Sequence, residues 1–156
     1  MLENETRLEN LLGMLADYYE TKLPFSKILG LRVDLIEPDH ARVAFDMKPE
    51  LIGNPVHGVL HGGVISSVLD ATGGIMASIG VIDRLQSKPP EDIEKGISKV
   101  STIDLRVDYL RPGSGKQFYA TGAIMRTGKK VTVVRMELRS DLEKLIAVGT
   151  GTYIVG

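Results

Sequence analysis

The sequence predicts an α+β protein: an antiparallel sheet wrapped around one long central helix, with an extra helix at the N-terminus. Three observations predict it. The elements read in the order helix, two strands, long helix, four strands, so helices and strands are segregated rather than alternating. Val64, Ile65, Val68, Leu69, Thr72, Ile75, Met76 and Ile79 recur at three- and four-residue spacing and fill one broad helix face. The strand patterns are separated by turn signals, which join antiparallel neighbours.

Residues 3–20 are amphipathic, with Leu8, Leu11, Leu12, Leu15, Tyr18 and Tyr19 apolar, and Pro24 ends the pattern. Phe25 to Leu29 has room for one short turn before Gly30. Residues 1–24 thus form a helical extension of a single domain spanning 1–156, without repeats or linkers. Leu31, Val33 and Leu35 alternate with Arg32 and Asp34. After the turn signal Pro38-Asp39-His40, Ala41, Val43, Phe45 and Met47 alternate with Arg42, Asp46 and Lys48, so the two runs predict a hairpin. Residues 49–60 read as a loop.

Beyond the central helix, residues 80–98 are mostly polar and are broken at Pro89-Pro90. They predict a flexible segment with one helical turn at Glu91 to Lys95. Ser101, Ile103, Leu105, Val107 and Tyr109 then share one strand face, opposite Thr102, Asp104, Arg106 and Asp108. Phe118–Arg126, Val131–Arg139 and Leu145–Val155 are the last strands, joined at Thr127-Gly128-Lys129-Lys130 and at Ser140-Asp141.

Composition excludes several classes of function. The formal net charge of −1 gives no bulk electrostatic case for nucleic acid or an anionic membrane. The absence of cysteine removes disulfides, thiolate metal sites and cysteine nucleophiles. The N-terminus MLENETRLEN is too polar for a signal peptide. The central helix, with Asp70 and several Gly and Ser, reads as too short and too polar to span a bilayer. A cytoplasmic protein is expected.

The helix carries a second face that needs a reason. Gly63, Ser66, Ser67, Asp70, Gly73, Gly74 and Ala77 form a stripe of small residues with one carboxylate. Each glycine inside a helix costs about 1 kcal/mol relative to alanine. The stripe therefore implies close approach of another backbone or of a ligand. A single curled sheet would bury the apolar face and leave the stripe uncovered, and a partner subunit is the expected cover.

With HGG at His61-Gly62-Gly63 and Asp70 seven residues after the last glycine, the chain resembles hotdog-fold acyl-CoA thioesterases of the phenylacetate-degradation type. ILGLRVDLIEPDHARVAF, GNPVHGVLHGGVISSVLDATGG, TIDLRVDYLRPG and the last two strands carry the resemblance, over about residues 25–156. TIDLRVDYLRPG and the ending GTGTYIVG look closest to the branch acting on medium- and long-chain acyl-CoA. The resemblance implies hydrolysis of a coenzyme A thioester without metal, and with no cofactor beyond the coenzyme A of the substrate. It further implies sites at a dimer interface, a backbone N–H at the HGG turn binding the carbonyl oxygen, and the helix carboxylate as base or nucleophile. An upstream polar residue, often Asn, positions water or substrate in such proteins. Asn54 is the candidate, one residue further from HGG than the commonest spacing, and His57 is the alternative occupant of that space.

The residues fit this chemistry. A thioester carbonyl needs an attacking oxygen and donors for the developing oxyanion. A helix N-terminus at Gly62 and Gly63 offers free N–H groups without obstructing side chains, and Asp70 offers the carboxylate. Yet eight residues of helix hold Gly62 and Asp70 roughly 12 Å apart. One carbonyl cannot touch both, so Asp70 must come from a second subunit. That requirement and the small-residue stripe both point to a homodimer, or a dimer of dimers, with composite sites.

Each assignment has a plainer alternative. Asp70 could cap another element, His61 could satisfy the helix start, and Ser66 and Ser67 could be packing. Thr102 matches a position where the family often has a hydroxyl, or it is exposed on an outer strand face. Arg111, Arg126, Lys129 and Lys130 could hold the phosphates of coenzyme A or be solvated. Two other functions share the fold: a non-catalytic acyl-CoA binding protein, and a hydratase or dehydratase. The latter usually pairs a histidine with a carboxylate, whereas His40, His57 and His61 all lie off the helix body.

Overall fold

The computed structural model describes residues 2–156, so Met1, the first residue of the expected extension, lies outside the described residues. Helix α1 (Leu2–Asp17) turns Leu12 and Leu15 into the core. The chain then widens into a single π turn, Tyr18–Lys22, and Leu23 is extended. Pro24 does more than end the helix. It opens α2 (Pro24–Leu29) at the first helical position, where a missing N–H leaves nothing unpaired. Gly30 closes α2 at φ 72°, the left-handed conformation that favours glycine.

The strands are β1 (Arg32–Ile36), β2 (Ala41–Asp46), β3 (Ile52–Asn54), β4 (Val59–Leu60), β5 (Ser101–Tyr109), β6 (Gln117–Thr127), β7 (Val131–Ser140) and β8 (Leu145–Ile154). Six of them form one antiparallel sheet in the order β1-β2-β6-β7-β8-β5. Helix α3 (Gly62–Leu85) packs against β2, β5, β6, β7 and β8. This is the expected hotdog arrangement. Period-two alternation supplies the sheet side of the core: Val43 and Phe45 on β2, and Val134, Met136 and Leu138 on β7, are fully buried. Ile65, Leu69 and Ile79 supply the helix side. Phe45 stacks on its cross-strand partner Phe118 with ring centres 5.2 Å apart. Burying side chains of this size stabilises by about 1.5–3 kcal/mol each.

Five expectations are corrected. The loop at residues 49–60 contains a 3-10 turn, Pro49–Leu51, and the β3–β4 hairpin, tied down by His61 N–H donating to the Leu51 carbonyl at 2.8 Å. The polar segment after the central helix is ordered: α3 continues to Leu85, and α4 (Pro90–Ile97) buries Ile93. At 24 residues α3 is long and apolar enough to cross a membrane, but 72% of its most apolar stretch is buried inside the fold.

The fourth correction concerns β5. A bulge at Ile103 shifts its register on β8, so that Thr102 pairs with Tyr153 and Asp104 with Thr152. The bulge reverses the alternation at the start of the strand: Ile103 is 53% exposed, and Thr102 turns its hydroxyl to the helix.

The fifth concerns the small-residue stripe. Its second half is covered by this chain itself, because Gly73, Gly74 and Ala77 are all buried. The Tyr153 ring lies where a side chain at Gly73 would be, and a Cβ on Gly74 would sit 2.9 Å from the Tyr19 hydroxyl. Only the half with Gly63, Ser66, Ser67 and Asp70 remains open.

The glycines therefore differ in what alanine would do. At Gly73 the tyrosine ring is backed by Gly151 and cannot retreat. Overpacking of about 1–3 kcal/mol should outweigh the helix gain of about 1 kcal/mol. At Gly80 the nearest atom to a new Cβ is Ile124 Cδ1 at 3.4 Å, an ordinary contact. Denaturant unfolding should show Gly73→Ala destabilised and Gly80→Ala stabilised by up to about 1 kcal/mol.

Candidate active site

His61 stops β4 and caps α3. Its backbone is extended, and its Nδ1 accepts the Gly63 N–H at 2.8 Å. That leaves the N–H of Gly62, the first helical residue, with no acceptor among the described residues. Tyr109, at the end of β5, donates to the Gly62 carbonyl at 3.1 Å and lays its ring beside the glycine. A cavity of about 380 Å³ opens here, bounded by Leu60, Gly62, Ile65, Tyr109 and Arg111. Arg111 is exposed and donates to the Leu145 carbonyl at 3.0 Å, which holds its charge at the rim.

Asn54 and His57 belong to this end of the molecule. The β3–β4 turn is closed by the His57 and Gly58 N–H groups donating to the Asn54 carbonyl at 3.2 and 2.8 Å. Asn54 Oδ1 accepts from Val56 N–H at 3.1 Å, which fixes the carboxamide with its NH₂ outward from that bond. His57 is exposed in the same turn.

Asp70 lies two helical turns on and is half-buried. Its Oδ1 accepts from Thr102 Oγ1 at 3.0 Å and from the Tyr153 hydroxyl at 3.1 Å. Ser67, one turn back, donates to the Gly63 carbonyl at 2.6 Å and borders the same space. A second cavity of about 310 Å³ lies against Asp70, with Leu23, Pro24, Phe25 and Val100 as apolar wall. It shares no lining residue with the first. One chain thus gathers His57, Asn54, His61, Gly62, Gly63 and Arg111 at one end, and Ser67, Asp70 and Thr102 at another. Lys129 joins neither. Arg84, near the end of α3, donates to the Lys129 carbonyl at 2.9 Å, roughly 33 Å along the helix from Gly62. Among the described residues no three His, Asp or Glu side chains converge as a metal would need.

The family profile described as Thioesterase superfamily matches residues 57–147, from the β3–β4 turn into β8. The chain belongs to this superfamily. The medium/long-chain acyl-CoA thioesterase YigI of Escherichia coli is 38% identical to it over 95% of this chain and 96% of its own. A crystal structure from Shewanella oneidensis, described as related to the thioesterase superfamily, superposes with a TM-score of 0.92 at 42% identity, covering 96% of this chain and 97% of that one. A thioesterase from Haemophilus influenzae (TM-score 0.68, 19% identity, 94% and 88% covered) shares the fold alone.

In this superfamily member two tyrosines at the site escape a reading by motif. Tyr153 reaches Asp70 only through the slot at Gly73 and Gly151. Its one trace in the sequence is a bulky residue following Gly149 and Gly151 on the same strand face. Tyr19 enters through the π turn and meets Ser78 at 3.5 Å. Burial pushes its phenol up from 10.0 to about 12, with the bond to Ser78 opposing. The sign follows: the stabilising effect is complete below pH 10.0 and is lost as pH rises towards about 12, because the unfolded chain releases this proton first. Urea midpoints should fall over that window, and Tyr19→Phe should make the fall shallower.

Proposed function

We propose that this chain hydrolyses acyl-CoA thioesters to free acid and coenzyme A, with medium- or long-chain fatty acyl groups as substrates, as a cytoplasmic homodimer or dimer of dimers. One observation carries the reading: a free N–H at Gly62 and the carboxylate of Asp70 stand on one rigid helix, beside separate cavities. The likeness to a medium/long-chain acyl-CoA thioesterase supports the substrate class.

The carbonyl oxygen of the thioester lies against Gly62 N–H of one subunit. The positive end of α3 and that donor stabilise the negative charge that develops there. Asp70 of the other subunit attacks the carbonyl carbon or takes a proton from the water that does. The C–S bond breaks and coenzyme A leaves as the thiolate. If Asp70 attacked directly, water then hydrolyses the mixed anhydride, which frees the acid, restores the carboxylate and supplies the thiolate's proton; if Asp70 activated water, the acid forms at once and the proton it took passes to the thiolate. Leu23, Pro24, Phe25 and Val100 offer the acyl chain an apolar wall beside Asp70. Arg111 at the Gly62 cavity is placed to meet phosphate charge, and Lys129 of the same chain is not. Two features support the dimer. β5 is a free sheet edge with Ile103, Tyr109 and Leu110 each about half exposed. The open half of the stripe, Gly63 to Asp70, lies along α3 beside it.

Thiol release from a series of short- to long-chain acyl-CoAs tests the activity. Turnover should be highest for medium or long chains, and Asp70→Asn should lower kcat by at least about a hundredfold. Binding without turnover would make this a non-catalytic acyl-CoA binding protein. A mixed dimer tests the shared site. Gly62→Pro removes the N–H at a position where proline suits a helix, after a His61 already extended at φ −65° and ψ 138°. Each variant homodimer should be nearly inactive, and the mixed dimer with Asp70→Asn should recover about half the wild-type activity through its one intact site. A monomer in sedimentation with activity intact would end the dimer reading.

A further inference from the structure

Tyr153 takes no part in the bond changes of thioester hydrolysis, yet the fold makes room for it at some cost. It is only 1% exposed. Its ring lies between Gly73 of α3 and Gly151 of β8, and a Cβ at either position would strike it. A helix-interior glycine is unfavourable by about 1 kcal/mol relative to alanine, so Gly73 gives up local stability to admit the ring. The hydroxyl at the end of that ring lies 3.1 Å from Asp70 Oδ1 and 3.1 Å from the Asp70 carbonyl oxygen. Across the β5–β8 pair, Thr102 is the partner of Tyr153 and donates to the same Oδ1 at 3.0 Å. Among the described residues no donor reaches Oδ2.

A carboxylate rotates about a broad, two-fold torsion, so its two oxygens are equivalent unless something distinguishes them. Two hydroxyls on one oxygen do so. Burial first, and then the neighbouring carboxylate, push the Tyr153 phenol far above its ordinary range, so it remains a donor at working pH.

We infer that Tyr153 is a positioning residue: with Thr102 it fixes Oδ1 of Asp70, so that Oδ2 is the oxygen presented to the thioester carbon or to water. The inference rests on the thioesterase reading of Asp70 given above. It assigns the two hydroxyls one task on one atom, and it explains why a phenol is buried under the carboxylate where a phenylalanine would pack as well.

The test uses full-length protein, with thiol release as activity and thermal unfolding and sedimentation as controls. Tyr153→Phe keeps the ring and removes the hydroxyl. It should lower kcat about tenfold to a hundredfold, the usual effect of one lost bond to a charged group. KM and oligomeric state should hardly change, and the melting temperature should fall by no more than about 10 °C, so that the variant stays folded at the assay temperature. Thr102→Val should lose a similar factor, and Thr102→Ser should restore it. The double variant should lose less than the product of the two factors, because both hydroxyls act on one oxygen. In an Asp70→Asn background Tyr153→Phe should change nothing further.

A folded Tyr153→Phe with wild-type kcat, beside an inactive Asp70→Asn, would overturn the positioning role and leave the thioesterase reading intact. So would a loss that persists in the Asp70→Asn background, or one that only tracks the melting temperature. Should Tyr153→Phe fold poorly, Thr102→Val decides: unchanged kcat overturns the shared fixing of Oδ1. Full turnover by Asp70→Asn would bring down both readings.

Discussion

A helix of 24 residues cannot bring its first residue to its ninth, and much of this protein follows from that rigidity. Gly62 and Asp70 are held roughly 12 Å apart along α3. The apolar face that makes α3 rigid in practice is buried by five strands of the sheet. The same burial presents the HGG turn and the carboxylate at two separate cavities. A fold that buried α3 less completely would leave both groups on a surface helix, without walls. Here hydrophobic burial of one face fixes the geometry of polar groups on the other.

The small residues of α3 serve two purposes that composition alone merges into one. Gly63 to Asp70 is left open, and there smallness permits approach from outside. Gly73 and Gly74 are closed by Tyr153 and Tyr19 of the same chain. Those tyrosines bring hydroxyls to the small-residue face of the helix, one to half-buried Asp70 and one to buried Ser78. The helix thus loses propensity at its middle and gains a polar support for the carboxylate, held by aromatic packing rather than by surface hydrogen bonds.

The fold was largely legible because burial imposes periods on a sequence. Val134, Met136 and Leu138 mark β7 by a period of two, and Ile65, Leu69 and Ile79 mark α3 by its helical period. The β3–β4 hairpin escaped because its paired segments have three and two residues, too short for any period to register. Helix α4 registered only as one turn at Glu91 to Lys95, because Pro89-Pro90 read as a break, whereas Pro90 opens the helix at its first position. The positions of His61, Gly62 and Asp70 were legible because they are local: a cap, a helix start, and a carboxylate at fixed spacing from them. Lys129 shows the opposite case. Its charge suggested phosphate, but only the folded chain reveals that it sits beside Arg84 at the far end of α3.

The sequence by itself determined the long helices and the six strands of the main sheet, the segregation of helices from sheet, and the separation of Gly62 from Asp70. All of these depend on neighbours within a few residues or on a regular helix. Only the tertiary structure decided what meets Asp70. The Thr102 hydroxyl turns inward because one extra residue at Ile103 reverses the pleat. Tyr153 reaches the carboxylate from 83 residues away because glycines on two elements leave a slot for its ring. Neither event has a local signature, since a bulge is defined by the partner strand and a slot by the packing of two elements that meet only in the folded chain.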